Sequence, residues 1–76
     1  MKAGDDQDIL KKFGDNLKKI RKRKGLSLRA LSYECSIDFS DIGKIERGQT
    51  NITLLTIMQL AKALDIPAED LFRWEN

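Results

Sequence analysis

The sequence predicts an all-α fold, a compact domain of five helices. Three observations predict it: an amphipathic stripe near the N-terminus, a capping pattern that recurs four times after it, and the lack of sustained strand-like alternation. With 76 residues, 41% apolar and 34% charged, the chain has the composition of one small globular domain. We expect that domain at residues 8–76, after a disordered N-terminal tail at 1–7 that shows no periodicity.

The first predicted helix begins at Asp8, which can cap it, and ends before Gly25. Gly25 fits the left-handed position that follows a helix, and basic residues fill the last turn. Gly14 lies inside the helix at a cost of about 1 kcal/mol relative to alanine, which indicates either close approach of another backbone or a tolerated surface glycine. The apolar stripe, at three- and four-residue spacing, consists of Leu10, Phe13, Leu17 and Ile20.

Four later helix starts share one pattern: an apolar residue, a capping residue, three others and a second apolar residue. This is the hydrophobic staple, in which the two apolar side chains pack together across the cap. The fourth match is looser, because Pro67 is a weak cap and better suits the first helical position. The pattern spans Leu26–Leu31, Ile37–Ile42, Ile52–Ile57 and Ile66–Leu71. Helices are therefore predicted to begin near residues 28, 39, 54 and 68.

The spacing between the second and third starts predicts a helix-turn-helix. The two helices are predicted from Leu28 to about Cys35 and from Phe39 to about Arg47, with a turn over 36–38. Because this turn is too short for antiparallel packing, the helices must cross steeply. The crossing is expected to be held by Leu31, Cys35, Ile42 and Ile45. The residues of the second helix that then face away from the core are Phe39, Ser40, Gly43 and Lys44.

Composition argues against an enzyme, a membrane protein and a secreted protein. The chain has no histidine, which excludes His-dependent triads and metal sites, and its single cysteine excludes an internal disulfide and a Cys-rich zinc site. No apolar run exceeds two residues, so we expect no membrane span, no secretory signal and a cytoplasmic protein. We expect no catalytic residue, metal, cofactor or small-molecule ligand.

These motifs together resemble the Cro- and phage-repressor-like (XRE-type) helix-turn-helix family. The resemblance spans residues 20–66, where GLS before helix 2, IERG at the end of helix 3 and TIMQLAKALDI in helix 4 stand at family spacing. The stretch ERGQTNITL is also similar to controller proteins of restriction–modification systems. The resemblance implies a transcriptional regulator that binds double-stranded DNA as a homodimer, with helix 3 in the major groove and each subunit on half of a near-palindromic operator.

The resemblance also assigns the residues that meet DNA. The base-reading positions are Phe39, Ser40, Gly43 and Lys44. The phosphate-contacting positions are Ser27, Arg47, Thr50 and Asn51. The family often has a phosphate-binding glutamine where Leu28 stands, so Arg29 is expected to substitute for it.

Two of these assignments leave alternatives open. Lys44 donates to a guanine, makes a plain phosphate contact or is simply solvated, and Phe39 either packs on a thymine methyl or covers the corner between helices 2 and 3. A further match to the family is structural: Arg21 and Glu46 correspond to an ion pair that ties helix 1 to the end of helix 3.

Helix 4 and the C-terminal end carry more apolar residues than one core needs. The inward stripe of helix 4 is predicted to be Leu54, Ile57, Ala61 and Leu64. The surplus, assigned to a dimer interface, is Leu55, Met58, Ile66, Phe72 and Trp74. The alternative function is an antitoxin or another protein-interaction module, since a groove-filling helix can also meet protein. The basic first helix favours DNA, because eight of the fourteen Lys and Arg residues lie between Lys11 and Lys24.

Overall fold

The computed structural model describes residues 3–74, which form four α-helices and one 3-10 helix. Helix α1 spans Ala3–Arg23, α2 Leu28–Glu34, α3 Phe39–Glu46 and α4 Leu54–Leu64, and the 3-10 helix η1 spans Ala68–Phe72. Within this part of the chain there is no strand. The predicted all-α class is confirmed, although the fifth element is a 3-10 helix instead of an α-helix.

Helix α1 begins at Ala3, earlier than the predicted start at Asp8. Asp8 does not cap the helix, and its Oδ2 lies 3.1 Å from Nζ of Lys12, one turn further on. Asp6 lies in the first turn, where an acidic side chain interacts favourably with the partial positive charge of the helix N-terminus. Of the tail predicted at 1–7, residues 3–7 are helical here, and residues 1 and 2 lie outside the described part of the chain.

The later helix starts follow the predicted capping pattern. Each of α2, α3 and α4 begins directly after a side chain that accepts a hydrogen bond from a backbone N–H two or three residues later, and these caps are Ser27, Asp38 and Thr53. Such bonds satisfy N–H groups that have no partner inside the helix. Pro67 precedes η1 without a side-chain cap. Gly25, with φ of 74°, adopts the left-handed conformation expected after α1.

The core lies between all five elements, each of which contributes at least one fully buried side chain: Leu17, Leu31, Ile42, Leu60, Leu64 and Leu71. The predicted stripe of α4 is wrong at one position, because Leu54 is 72% exposed. Leu60, which was not predicted, takes its place. Leu54 and Leu60 lie about 60° to either side of Ile57 around the helix, so the helical period does not distinguish them and the packing of α4 buries Leu60.

Two glycines bring α1 against the end of α3. A Cβ atom at Gly14 would collide with the backbone carbonyl of Ile45 and would lie 2.8 Å from the carbonyl carbon of Glu46. A Cβ atom at Gly48, whose φ is 72°, would lie 2.9 Å from Cα of Lys11. Of the two alternatives for Gly14, close approach of another backbone is therefore confirmed.

One side chain of α1, Asn16, forms two hydrogen bonds with the backbone of the C-terminal segment. The amide nitrogen of the buried Asn16 donates to the carbonyl oxygens of Asp70 at 3.0 Å and Leu71 at 2.9 Å. These bonds join residues more than fifty positions apart in the sequence. They hold η1 across α1 and bring Leu71 into the core.

Candidate nucleic-acid interface

Helices α2 and α3 form the predicted helix-turn-helix. Leu31 and Ile42 are fully buried at the crossing of the two helices, Ile45 is buried, and Cys35 packs against them half-buried. The thiol of Cys35 donates to the carbonyl of Leu31 at 3.3 Å. The residues expected to hold the crossing therefore lie in the core or against it, so that α3 is supported from behind.

A buried ion pair fixes the end of α3. Nε of Arg21 donates to Oε2 of Glu46 at 2.6 Å, and Nη2 donates to Oε1 at 2.9 Å. The remaining guanidinium nitrogen, Nη1, donates to the carbonyl of Leu26 at 2.8 Å. Arg21 and Glu46 are each only 6% exposed. The hydrogen bonds that Arg21 donates to Glu46 raise the pKa of the Arg21 guanidinium, which therefore stays protonated at every physiological pH.

Two of the four predicted base-reading residues are exposed to solvent on the outward face of α3. Ser40 and Lys44 are exposed, and Phe39 is half-buried. The Phe39 ring lies beneath the guanidinium of Arg29, whose Cζ is 4.4 Å from the ring centroid. Phe39 thus packs against a side chain of α2 and stays partly accessible at the start of α3.

The first turn of α3 is organised by Asp38. Its carboxylate accepts hydrogen bonds from the hydroxyl of Ser40 and from the backbone N–H of Ser40, the latter at 3.2 Å. These bonds lower the pKa of Asp38 below its usual range, and the bond from the Ser40 hydroxyl has the largest effect. Ser40 is therefore both an exposed polar group on the outer face and part of the helix cap.

Gly43 differs from its predicted outward position, because it is buried. A Cβ atom there would lie 3.1 Å from Nη1 of Arg47 and 3.7 Å from Cδ1 of Leu28. The Arg47 guanidinium lies over the helix at this point, where the lack of a side chain makes room for it. Gly43 is therefore the floor of a groove and not part of the exposed face.

The five predicted phosphate-contacting residues lie at helix ends or in the loop between α3 and α4: Ser27, Arg29, Arg47, Thr50 and Asn51. The Ser27 hydroxyl already accepts a hydrogen bond as the cap of α2. Nε of Arg47 donates to Oε1 of Gln49 at 3.2 Å. The sequence interpretation did not anticipate this contact, because it depends on how the Arg47 side chain is placed after α3 ends.

Comparison with known proteins identifies the family. Residues 17–71 match the family model HTH_3, described as helix-turn-helix. The chain belongs to the HTH_3 family. Control protein C.BamHI from Bacillus amyloliquefaciens is 37% identical over 60 residues, which cover 78% of this chain and 74% of that protein. Control protein C.MunI from Mycoplasma sp is 33% identical over 66 residues, which cover 86% and 89%.

Solved structures of controller proteins share the fold of this HTH_3 protein. The restriction–modification controller protein C.AhdI from Aeromonas hydrophila matches with a TM-score of 0.81 and 46% identity, over 83% of this chain and 96% of that one. The C.Esp1396I tetramer, solved with its natural 35 base-pair operator, matches with a TM-score of 0.78 and 31% identity, over 84% of each chain. The resemblance predicted from the motifs is confirmed, and the relatives are regulators and not enzymes.

The HTH_3 protein also exposes apolar side chains on α4 and η1. Leu55 is 74% exposed and Met58 50%, and Phe72 is likewise exposed. The Phe72 ring centroid lies 5.3 Å from that of Phe13 and 6.3 Å from that of Trp74. Of the residues predicted for a dimer interface, these three exposed ones are free to meet a partner, whereas Ile66 and Trp74 are half-buried and also pack against the core.

Among the described residues of the HTH_3 protein, no group of three or more His, Cys, Asp or Glu side chains is placed to hold a metal ion. None of the helices between residues 3 and 74 is both long and apolar enough to cross a membrane.

Proposed function

We propose that this HTH_3 protein is a cytoplasmic transcriptional regulator that binds a specific sequence of double-stranded DNA, with residues 8–76 as its DNA-binding domain. It binds a near-palindromic operator as a homodimer, and each subunit places α3 in the major groove. The observation that carries this proposal is the state of α3: its outer face exposes Ser40 and Lys44, while its end is held by the buried pair of Arg21 and Glu46. The similarity to restriction–modification controller proteins supports a controller role.

Base recognition is assigned to the start and middle of α3. The Lys44 ammonium donates to O6 and N7 of a guanine, a contact worth about 1–3 kcal/mol of discrimination. The exposed part of the Phe39 ring packs on a thymine methyl while its other part is held by Arg29. Ser40 hydrogen-bonds to a base edge, and Gly43 contributes by letting Arg47 lie close to the helix.

Phosphate binding is assigned to the residues around the ends of α2 and α3. Arg29 and Arg47 supply cationic contacts, which position the protein on the duplex without reading sequence. The polar groups of Ser27, Thr50 and Asn51 supply neutral hydrogen bonds. Each neutralised phosphate should contribute about 0.9 to the slope of log affinity against log salt concentration.

Dimerisation is assigned to the apolar surface of α4 and η1. Of the residues predicted for the interface, Leu55, Met58 and Phe72 are exposed, and the half-buried Ile66 and Trp74 complete it. A two-fold dimer uses the same patch on both subunits. Such a dimer would place its two α3 helices roughly 34 Å apart, one turn of DNA.

Selection from a random pool of duplex DNA tests the proposal. The expected result is enrichment of a near-palindrome whose half-sites lie about 10 base pairs apart, centre to centre. A gel shift with competitor DNA at physiological salt should then show preference for the enriched sequence. Failure to enrich any sequence would contradict the proposal and favour the protein-interaction alternative.

A further inference from the structure

A groove between α1 and α3 carries charges that the proposed interface has not used. Lys11, Asp15 and Lys18 line it from α1, and Arg47 lines it from the end of α3. Its floor includes Gly43, where no side chain separates the groove from the α3 backbone. The groove therefore lies beside the helix assigned to the major groove, on the side covered by the Arg47 guanidinium.

The three α1 residues share one face because of their spacing. Lys11 and Lys18 are seven residues apart, which is close to two helical turns, so they project from the same side of α1 about 10 Å apart. The same spacing was visible in the sequence. Its meaning was not, because it depends on α3 packing along this side of α1 at Gly14.

The charge of the groove is positive. Of its two carboxylates, Glu46 is paired on both oxygens with Arg21 and contributes little net field. Asp15 is the other carboxylate, and it is outnumbered by Lys11, Lys18 and Arg47. Both lysines are exposed, so their ammonium groups can reach an anion without disturbing the core.

The position of the groove indicates which anion it meets. When α3 lies in the major groove, the sugar–phosphate strand at its edge passes Arg47, which is assigned to phosphate. Lys11 and Lys18 line the same groove as Arg47. A duplex presents phosphates at regular intervals along each strand. Several cations in one groove therefore suit a phosphate strand better than they suit a single small anion.

We propose that Lys11 and Lys18 are phosphate contacts, which extend the DNA interface from the helix-turn-helix onto α1. This inference rests on the proposed function, and it adds affinity without adding sequence preference. The two lysines flank Asp15, whose exposed carboxylate weakens the positive field of the groove. A DNA strand offers several phosphates against this single carboxylate, so it is the stronger partner for both lysines.

Consecutive lysines provide the test. Lys18→Gln removes one positive charge from the groove, and Lys19→Gln removes the same charge from the adjacent exposed position. Lys19 lines a different cleft, beside Asn16 and Trp74. The dissociation constant of each variant is measured on the selected operator and on non-specific duplex between 50 and 200 mM salt.

Lys18→Gln is expected to lower the salt slope by about 0.9 and to weaken binding to both duplexes equally. Lys11→Gln should do the same, and the Lys19→Gln slope should equal that of the wild type. Equal slopes for the variants at Lys18 and Lys19 would overturn the inference and leave the proposed function standing. A wild-type protein without preference for any sequence would overturn the proposed function, and the comparison on non-specific duplex would still decide the inference.

Discussion

Arg21 joins Glu46 through two hydrogen bonds, at 2.6 and 2.9 Å, across 25 residues of sequence. The same guanidinium bonds the carbonyl of Leu26 at 2.8 Å, just before α2 begins. One side chain of α1 therefore connects the entrance of α2 with the end of α3. This arrangement determines the angle at which α3 is presented, and several predictions about the site depend on it.

Arg21→Ala is expected to lower the free energy of unfolding by about 3–5 kcal/mol, because it leaves the Glu46 carboxylate buried without its partner. Glu46→Ala should cost a similar amount. The double variant should cost less than the sum of the two single changes, since neither charge is then left alone. Urea unfolding of all four proteins measures these values. Simple additivity would show that the two residues act independently.

Gly14→Ala is expected to destabilise the fold by about 1–3 kcal/mol or more, because its Cβ would meet backbone carbonyl atoms of α3. Gly43→Ala is the matched control, since a Cβ at this second helical glycine would meet no backbone atom, only the movable end of Arg47 and, at an ordinary contact distance, Cδ1 of Leu28. There alanine should leave stability unchanged or raise it, by up to about 1 kcal/mol. Thermal melts of both variants check this, and equal destabilisation would mean that the contact at Gly14 has no special importance.

Lys44→Ala is expected to remove the preference at one base pair of each half-site, by about 1–3 kcal/mol. Lys62→Ala, on the exposed side of α4, serves as the control and should leave the preference unchanged. Binding to a panel of singly substituted operators measures both. An equal loss of affinity on every operator would instead make Lys44 a phosphate contact.

Ser40→Ala is expected to raise the pKa of Asp38 towards its ordinary value of about 3.9, because the serine hydroxyl is the main cause of its lowering. Since the folded-state pKa is depressed, the charged cap stabilises the protein above the unfolded pKa. This contribution is lost as the pH falls through the folded value. An NMR titration of the carboxyl carbon measures the change. Ser32→Ala, whose hydroxyl bonds the Arg29 carbonyl instead, should leave the Asp38 titration as it is.

Leu55→Glu is expected to convert the proposed dimer into a monomer, because it places a charge within an apolar interface. Tyr33→Glu is the control, since Tyr33 is 81% exposed on α2 and lies outside the proposed interface. Sedimentation at high micromolar concentration, with and without operator, distinguishes the two states. A wild-type protein that stays monomeric in both conditions would contradict the assignment.

The starts of α2, α3, α4 and η1 were predictable because caps and staples are local patterns, with every participant within six residues. The start of α1 was not, since residues 3–7 lack an apolar stripe and their helix depends on continuing one that already exists. The burial of Leu60 in place of Leu54 was not predictable either. Both stand at helical spacing from Ile57, and only packing decides which of them is buried.

The site was predictable to the extent that it depends on the order of motifs. The bond between Arg21 and Glu46 was anticipated only from the family resemblance, because no local pattern links residues 25 positions apart. Burial of Gly43 depends on where the Arg47 side chain lies, and that follows from tertiary contacts. The cationic groove of Lys11 and Lys18 likewise exists only once α1 and α3 have packed together.

The paired bonds from Asn16 to the carbonyls of Asp70 and Leu71 have a consequence for assembly. They orient the segment that carries Phe72 and Trp74, so this surface depends on the packing of η1 against α1. In a dimer built on these side chains, dissociation and denaturation become linked equilibria. The melting temperature should then rise with protein concentration, and Asn16→Ala should weaken association as well as the fold.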